Sequence, residues 1–92
     1  PAGQLAADDE VALTYPEFPV LVQPAGGDQA IVSSNGHLKD VRSHPGLEAM
    51  LRQINSGQRT SVKALESLHG PGAGEMLSFL VATRALEVVS RR

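Results

Sequence analysis

A chain of 92 residues, 41% of them hydrophobic, suffices for one domain with one modest core. It has no cysteine, which excludes disulfides and thiolate chemistry, and no apolar run near the roughly 18 residues of a helical membrane span. Its formal net charge of −2 excludes a global electrostatic pull toward nucleic acid.

The charge is unevenly spread. Residues 1–38 carry Asp8, Asp9, Glu10, Glu17 and Asp28 and no Lys or Arg, whereas residues 39–92 carry all eight basic residues. The halves attract each other weakly, as solvated surfaces of one folded domain do. A cytoplasmic setting is expected, since neither a signal peptide nor a cysteine framework is visible. The start at Pro1, without methionine, is expected of a processed product or an excised domain.

Residues 1–10 are small, polar and acidic, and read as a flexible arm or linker, leaving 11–92 as the domain. Val11 to Tyr15 reads as a first short strand or the end of that linker. Phe18, between Pro16 and Pro19, is expected to plug the core. Val20-Leu21-Val22 is a strand ending at the turn-forming Pro24-Ala25-Gly26-Gly27-Asp28, and Ala30-Ile31-Val32 is a second strand. Asn35-Gly36 between apolar runs signals a hairpin, because a type I′ turn needs positive φ at both central residues. His37 to Arg42 returns as a third strand, completing an antiparallel meander over 19–42.

Ser43-His44-Pro45-Gly46 reads as a helix start, a capping residue followed by proline. Leu47, Met50, Leu51 and Ile54 form an apolar stripe, and Gly57 closes this helix. Thr60 or Ser61 caps a second helix with Val62, Leu65 and Leu68 inward. After the break at 70–74, a third helix is expected from about Gly74 to Thr83, with Met76, Leu77, Leu80 and Val81 inward and Phe79 at the stripe's edge. Leu86 to Val89 is a short closing strand. The expected fold is α+β: a winged helix made of a three-strand antiparallel meander, three helices and that strand.

Chemical constellations are sparse. His37, His44 and His69 lack metal-site spacing. Ser33, Ser34, His37 and Asp40 are near in sequence but lack a strained nucleophile turn with an oxyanion hole. The glycines of 70–74 lead into Glu75-Met76, where a phosphate loop has Lys-Ser/Thr, and Glu75 would repel phosphate. No catalytic, cofactor or metal role is therefore assigned. The third helix offers Glu75, Met76 and Ser78 where a DNA reader needs Arg, Lys, Asn or Gln. Lys39, Arg42, Arg59 and Lys63 are too scattered to make nucleic acid an expected partner. A strand edge beside a helix suffices for a protein or peptide. The residues expected to meet it are His37, Lys39 and Val41 on the strand and Met76, Phe79 and Thr83 on the third helix.

Two family resemblances rest on these residues. Asn35 to Val41, Leu47 to Ile54, Thr60 to Leu65 and Leu77 to Val89 resemble, in apolar spacing, the C-terminal winged-helix domain of ribosomal oxygenases, which are cupin-type (JmjC) 2-oxoglutarate enzymes. This resemblance implies a non-catalytic module packed on an upstream domain of the same polypeptide. The family's iron site has no counterpart here, so no iron or 2-oxoglutarate ligand is carried over. Residues 54–62 (INSGQRTSV) resemble the Gly-x-x-Thr turn of leader-peptide recognition domains similar to the pyrroloquinoline quinone chaperone. That resemblance implies a stand-alone module on which a leader peptide adds as a strand beside the third strand and packs on the third helix. The expected function is a non-catalytic protein-interaction module, as an oxygenase's C-terminal domain or as a leader-peptide binder, with a DNA-binding regulator as a third option.

Overall fold

The structure, a computed structural model, describes residues 5–90. It is an α+β domain of two three-stranded antiparallel sheets and three helices. Strands β1 (Glu10–Leu13), β2 (Leu21–Pro24), β3 (Gln29–Ser34) and β4 (His37–Arg42) precede helix α1 (Pro45–Asn55). The two-residue strand β5 (Thr60–Ser61), helices α2 (Val62–His69) and α3 (Ala73–Ala82) and strand β6 (Leu86–Ser90) follow.

The expected meander is present as the sheet β2-β3-β4. Its tighter turn has the expected chemistry: Asn35 and Gly36 have φ of 50° and 86°, a pair that matches the strands' right-handed twist. The other sheet is an addition to the expected order. There β1 lies between β5 and the closing strand β6, so the winged-helix order is met only loosely. Val11 and Leu13 of β1 are buried, and they meet Val32, Leu86 and the helical stripes in a single core.

Local chemistry sets the helix ends. Pro45 opens α1, where a missing N–H costs nothing, and the cap is His44, whose Nδ1 accepts the Leu47 N–H at 3.3 Å. Leu47, Met50, Leu51 and Ile54 are buried as their spacing requires, each side chain contributing roughly 2–3 kcal/mol of transfer free energy. Ser61 caps α2 by accepting the Ala64 N–H at 3.1 Å. The remaining free donors of that first turn go to the preceding chain: Val62 N–H to Asp9 O at 2.8 Å and Lys63 N–H to Ala7 O at 3.0 Å. Of residues 1–10, read as an arm, 1–4 lie outside the described residues. Leu5 packs on the core, Asp9 is buried, and Glu10 starts β1.

Two packing expectations are corrected. Phe18 does not plug the core. It is 71% exposed and meets Tyr15 edge-on at 6.5 Å, because Val20 has taken the buried position. Leu68 is not an inward residue of α2. The stripe runs Val62, Leu65, His69, at i, i+3 and i+7, which leaves Leu68 exposed and the imidazole buried. Val81, expected to face inward, is half-buried and packs against the edge of the core, and α3 ends at Ala82 with Thr83 as its buried cap residue.

Candidate docking groove beside β4

The polarity of β4 follows from its turn. In a two-residue hairpin the flanking pair Ser34–His37 is hydrogen-bonded, and bonding then alternates along the antiparallel ladder. His37, Lys39 and Val41 therefore direct their main-chain groups toward β3. Leu38, Asp40 and Arg42 direct theirs away from the sheet, and β4 is a sheet edge. Side chains alternate the other way. Lys39 pairs with Val32 and Val41 with Ala30, both buried, so Lys39 and Val41 face the helices. Leu38, 70% exposed, faces the opposite side.

The sheet's other edge is obstructed. The bond from Ala25 N–H to Gln29 O fixes the β2–β3 alternation, which turns the main-chain groups of Val20, Val22 and Pro24 outward. Asn55 occupies Val20 by accepting its N–H at 2.8 Å and donating to its carbonyl at 2.9 Å. Pro24 has no N–H to offer. Of the two edges, β4 is the less obstructed.

Beside that edge runs a groove of about 290 Å³ between β4 and the N-terminal ends of α1 and α3. Val41, Leu47 and Met76 give it an apolar floor, with Leu47 and Met76 buried. Lys39 spans the gap: its Nζ lies 3.1 Å from Glu75 Oε1 and 5.7 Å from the Phe79 ring centre. Near the other end His44 and His69 meet edge to face, their ring centres 4.6 Å apart.

The spacing between β4 and α3 is fixed beyond Lys39. Thr83, just after α3, has a buried hydroxyl 2.6 Å from Ser34 Oγ, and its carbonyl accepts from Asn35 Nδ2 at 2.9 Å. Thr83 Oγ1 also donates to Phe79 O at 2.9 Å, so its proton is spent there and Ser34 is the donor of the hydroxyl pair. The β3–β4 turn is thereby pinned to the end of α3.

The six residues expected to contact a partner have distinct places. Lys39, Val41 and Met76 line the groove. Phe79 is half-buried behind Lys39. His37 is exposed at the hairpin end, and Thr83 is buried with its hydroxyl already bonded. Sequence reasoning missed Leu47, His44 and His69 as groove residues. For His69 the signal was available in its seven-residue spacing from Val62.

Other constellations are dispersed. Ser34 is committed to Thr83, while Ser33 and Asp40 stand on the opposite face of the sheet from Ser34 and His37. Among the described residues no group of three or more His, Asp or Glu side chains is arranged for a metal ion, and no helix is long and apolar enough to cross a membrane. Three of the four cations considered for phosphate are ion-paired: Lys39 with Glu75, Arg42 with Asp28 at 3.3 Å and Arg59 with Glu10 at 3.2 Å.

No protein-family model matches the chain, and comparisons with curated proteins and with solved structures give no significant match.

Proposed function

We propose that this domain is a non-catalytic protein-interaction module of winged-helix type that captures an extended peptide as an added strand on β4. The observation carrying the reading is the open β4 edge lying beside a groove with an apolar floor. The outward groups of Leu38, Asp40 and Arg42 supply main-chain hydrogen bonds, and alternate side chains of the added strand reach Val41, Leu47 and Met76. Affinity comes from the ladder and selectivity from the groove.

Strand addition beside the meander's third strand, next to the third helix, agrees with the resemblance to leader-peptide recognition domains. That agreement favours a separate peptide over the upstream oxygenase domain implied by the other resemblance. A DNA-binding role is the least supported, since Lys39, Arg42 and Arg59 would each have to leave a carboxylate to reach a phosphate.

The test uses Asp40→Pro. It removes one outward N–H and spares the β3–β4 ladder, which uses His37, Lys39 and Val41. Peptides are selected from a random displayed library on the full chain, and their affinity is measured for both proteins. Asp40→Pro should keep the thermal midpoint within a few degrees and weaken binding about tenfold, the scale of one or two lost hydrogen bonds. Unchanged affinity in a folded Asp40→Pro variant overturns the reading.

A further inference from the structure

We propose that the His69 end of the groove binds a carboxylate carried by the captured segment, either an Asp or Glu side chain or a chain-terminal carboxylate. The inference rests on the docking role of β4 and adds its selectivity. Two independent features converge there. The first is the N-terminus of α3, a ten-residue helix whose cap, Gly72, contributes no side-chain hydrogen bond. Ala73 N–H bonds Gly70 O and Met76 N–H bonds Gly72 O, while the N–H groups of Gly74 and Glu75 have no partner among the described residues. The helix dipole favours an anion at this end.

The second feature is His69, which is 9% exposed and lines the groove. Its Nδ1 is 3.2 Å from Gly70 O and donates there, since a carbonyl can only accept. Its Nε2 has no hydrogen-bond partner among the described residues. The Cε1 edge of the ring faces the α3 cap, 3.7 Å from where a Cβ on Gly72 would stand. His69 is also the last residue of α2, where the helix dipole favours a cation. A carboxylate at this place would accept Nε2–H from the imidazolium and N–H groups from the first turn of α3. The proton taken up on binding resides on Nε2.

His44 has a different role in the groove. Its Nδ1 accepts the Leu47 N–H as the cap of α1. The charged groups lining the same groove are Lys39, Asp40, Arg42 and Glu75. Arg42 is engaged by Asp28, and Asp40 projects to the opposite face of β4. Among the described residues Glu75 is the anion that faces the site, and it is drawn toward Lys39.

The test follows His69 Cε1–H and backbone amides by NMR while the full chain is titrated with three extended heptapeptides. One is Thr-Val-Thr-Glu-Thr-Val-Thr with both ends capped. The second replaces Glu by Gln, and the third is the Gln peptide with a free C-terminal carboxylate. Sodium acetate against sodium chloride at equal ionic strength is a fourth arm.

The Glu peptide should bind about tenfold more tightly than its Gln counterpart, the scale of a charge-assisted hydrogen bond. It should shift His69 Cε1–H and the Gly74 and Glu75 amides, which the Gln peptide should leave in place. Preference for the third peptide instead assigns the site to chain ends. His69→Gln should erase the preference. Glu75→Gln, an exposed change that removes the competing anion, should strengthen carboxylate binding severalfold and keeps the test decisive if His69→Gln fails to fold.

Equal binding of all three peptides, with shifts at Leu38, Asp40 and Arg42, overturns the carboxylate site and leaves strand addition standing. Shifts at His69 and the α3 N-terminus with acetate, and none at β4 with any peptide, retain the site and overturn strand addition. No shift in any arm overturns both.

Discussion

Asn55 grips Val20 with both ends of its side-chain amide, accepting the backbone N–H at 2.8 Å and donating to the carbonyl at 2.9 Å. A carboxamide has the donor and acceptor geometry of a peptide unit, so this side chain stands where a neighbouring strand would. It ties the last residue of α1 to the entry of β2 and fills one of the outward positions on that edge.

Removing that amide exposes its value. Asn55→Ala leaves a part-buried N–H and carbonyl without partners and should cost about 1–3 kcal/mol in urea unfolding. Asn55→Asp keeps the acceptor, loses the donor and should cost less. Because the pair lies on the edge opposite β4, peptide affinity in the folded Asn55→Ala protein should stay within about twofold of the parent. A Val20 amide that exchanges equally fast in parent and variant would contradict the tie.

Gly46 and Gly74 should respond in opposite directions to the same substitution. A Cβ on Gly46 would collide with the backbone carbonyl of His69 and lie 2.9 Å from Leu68 O, so the start of α1 can approach the end of α2 only through glycine. Gly46→Ala should destabilise by roughly 1–3 kcal/mol despite alanine's better helix propensity. A Cβ on Gly74 meets nothing within 4 Å, and Gly74→Ala should be neutral or stabilising by up to about 1 kcal/mol. Thermal or urea melts of both variants check the pair, and equal signs would refute the close approach.

Thr83 positions the groove without lining it. Thr83→Val keeps shape but strips the acceptor from the buried Ser34 hydroxyl, for an expected cost of about 1–2 kcal/mol. Ser34→Ala should cost a similar amount. The double variant should cost clearly less than their sum, because each single change already breaks the shared bond. Additivity in a double-mutant cycle would show that the hydroxyls do not depend on each other. Since this bond pins the β3–β4 turn to the end of α3, Thr83→Val should also weaken peptide capture.

Much of the fold was legible where short-range patterns are decisive. The type I′ turn at Asn35-Gly36, the four-residue stripe of α1 and the capping at Ser61 depend on φ preferences and periodicities spanning a few residues. Errors came where long-range competition decides. Phe18 is the larger apolar side chain, yet Val20 occupies the core, because Asn55, 35 residues away, anchors the backbone there. Leu68 fits a helical stripe as well as His69 does, and the contact of His69 with His44 selects the histidine.

By itself, the sequence determined the β2-β3-β4 meander and the three helices, the register of the β3–β4 hairpin and therefore which backbone groups of β4 face outward, since alternation is local to the turn. It also set the apolar identity of Val41, Leu47 and Met76. Tertiary structure alone decided that Asn55 occupies Val20 on the opposite edge, that β1, β5 and β6 form a second sheet, and that the ends of α1 and α3 converge with two imidazoles beside β4. These relations join residues far apart in the chain. They depend on how the packed core orients the elements, a cooperative outcome that no local pattern records.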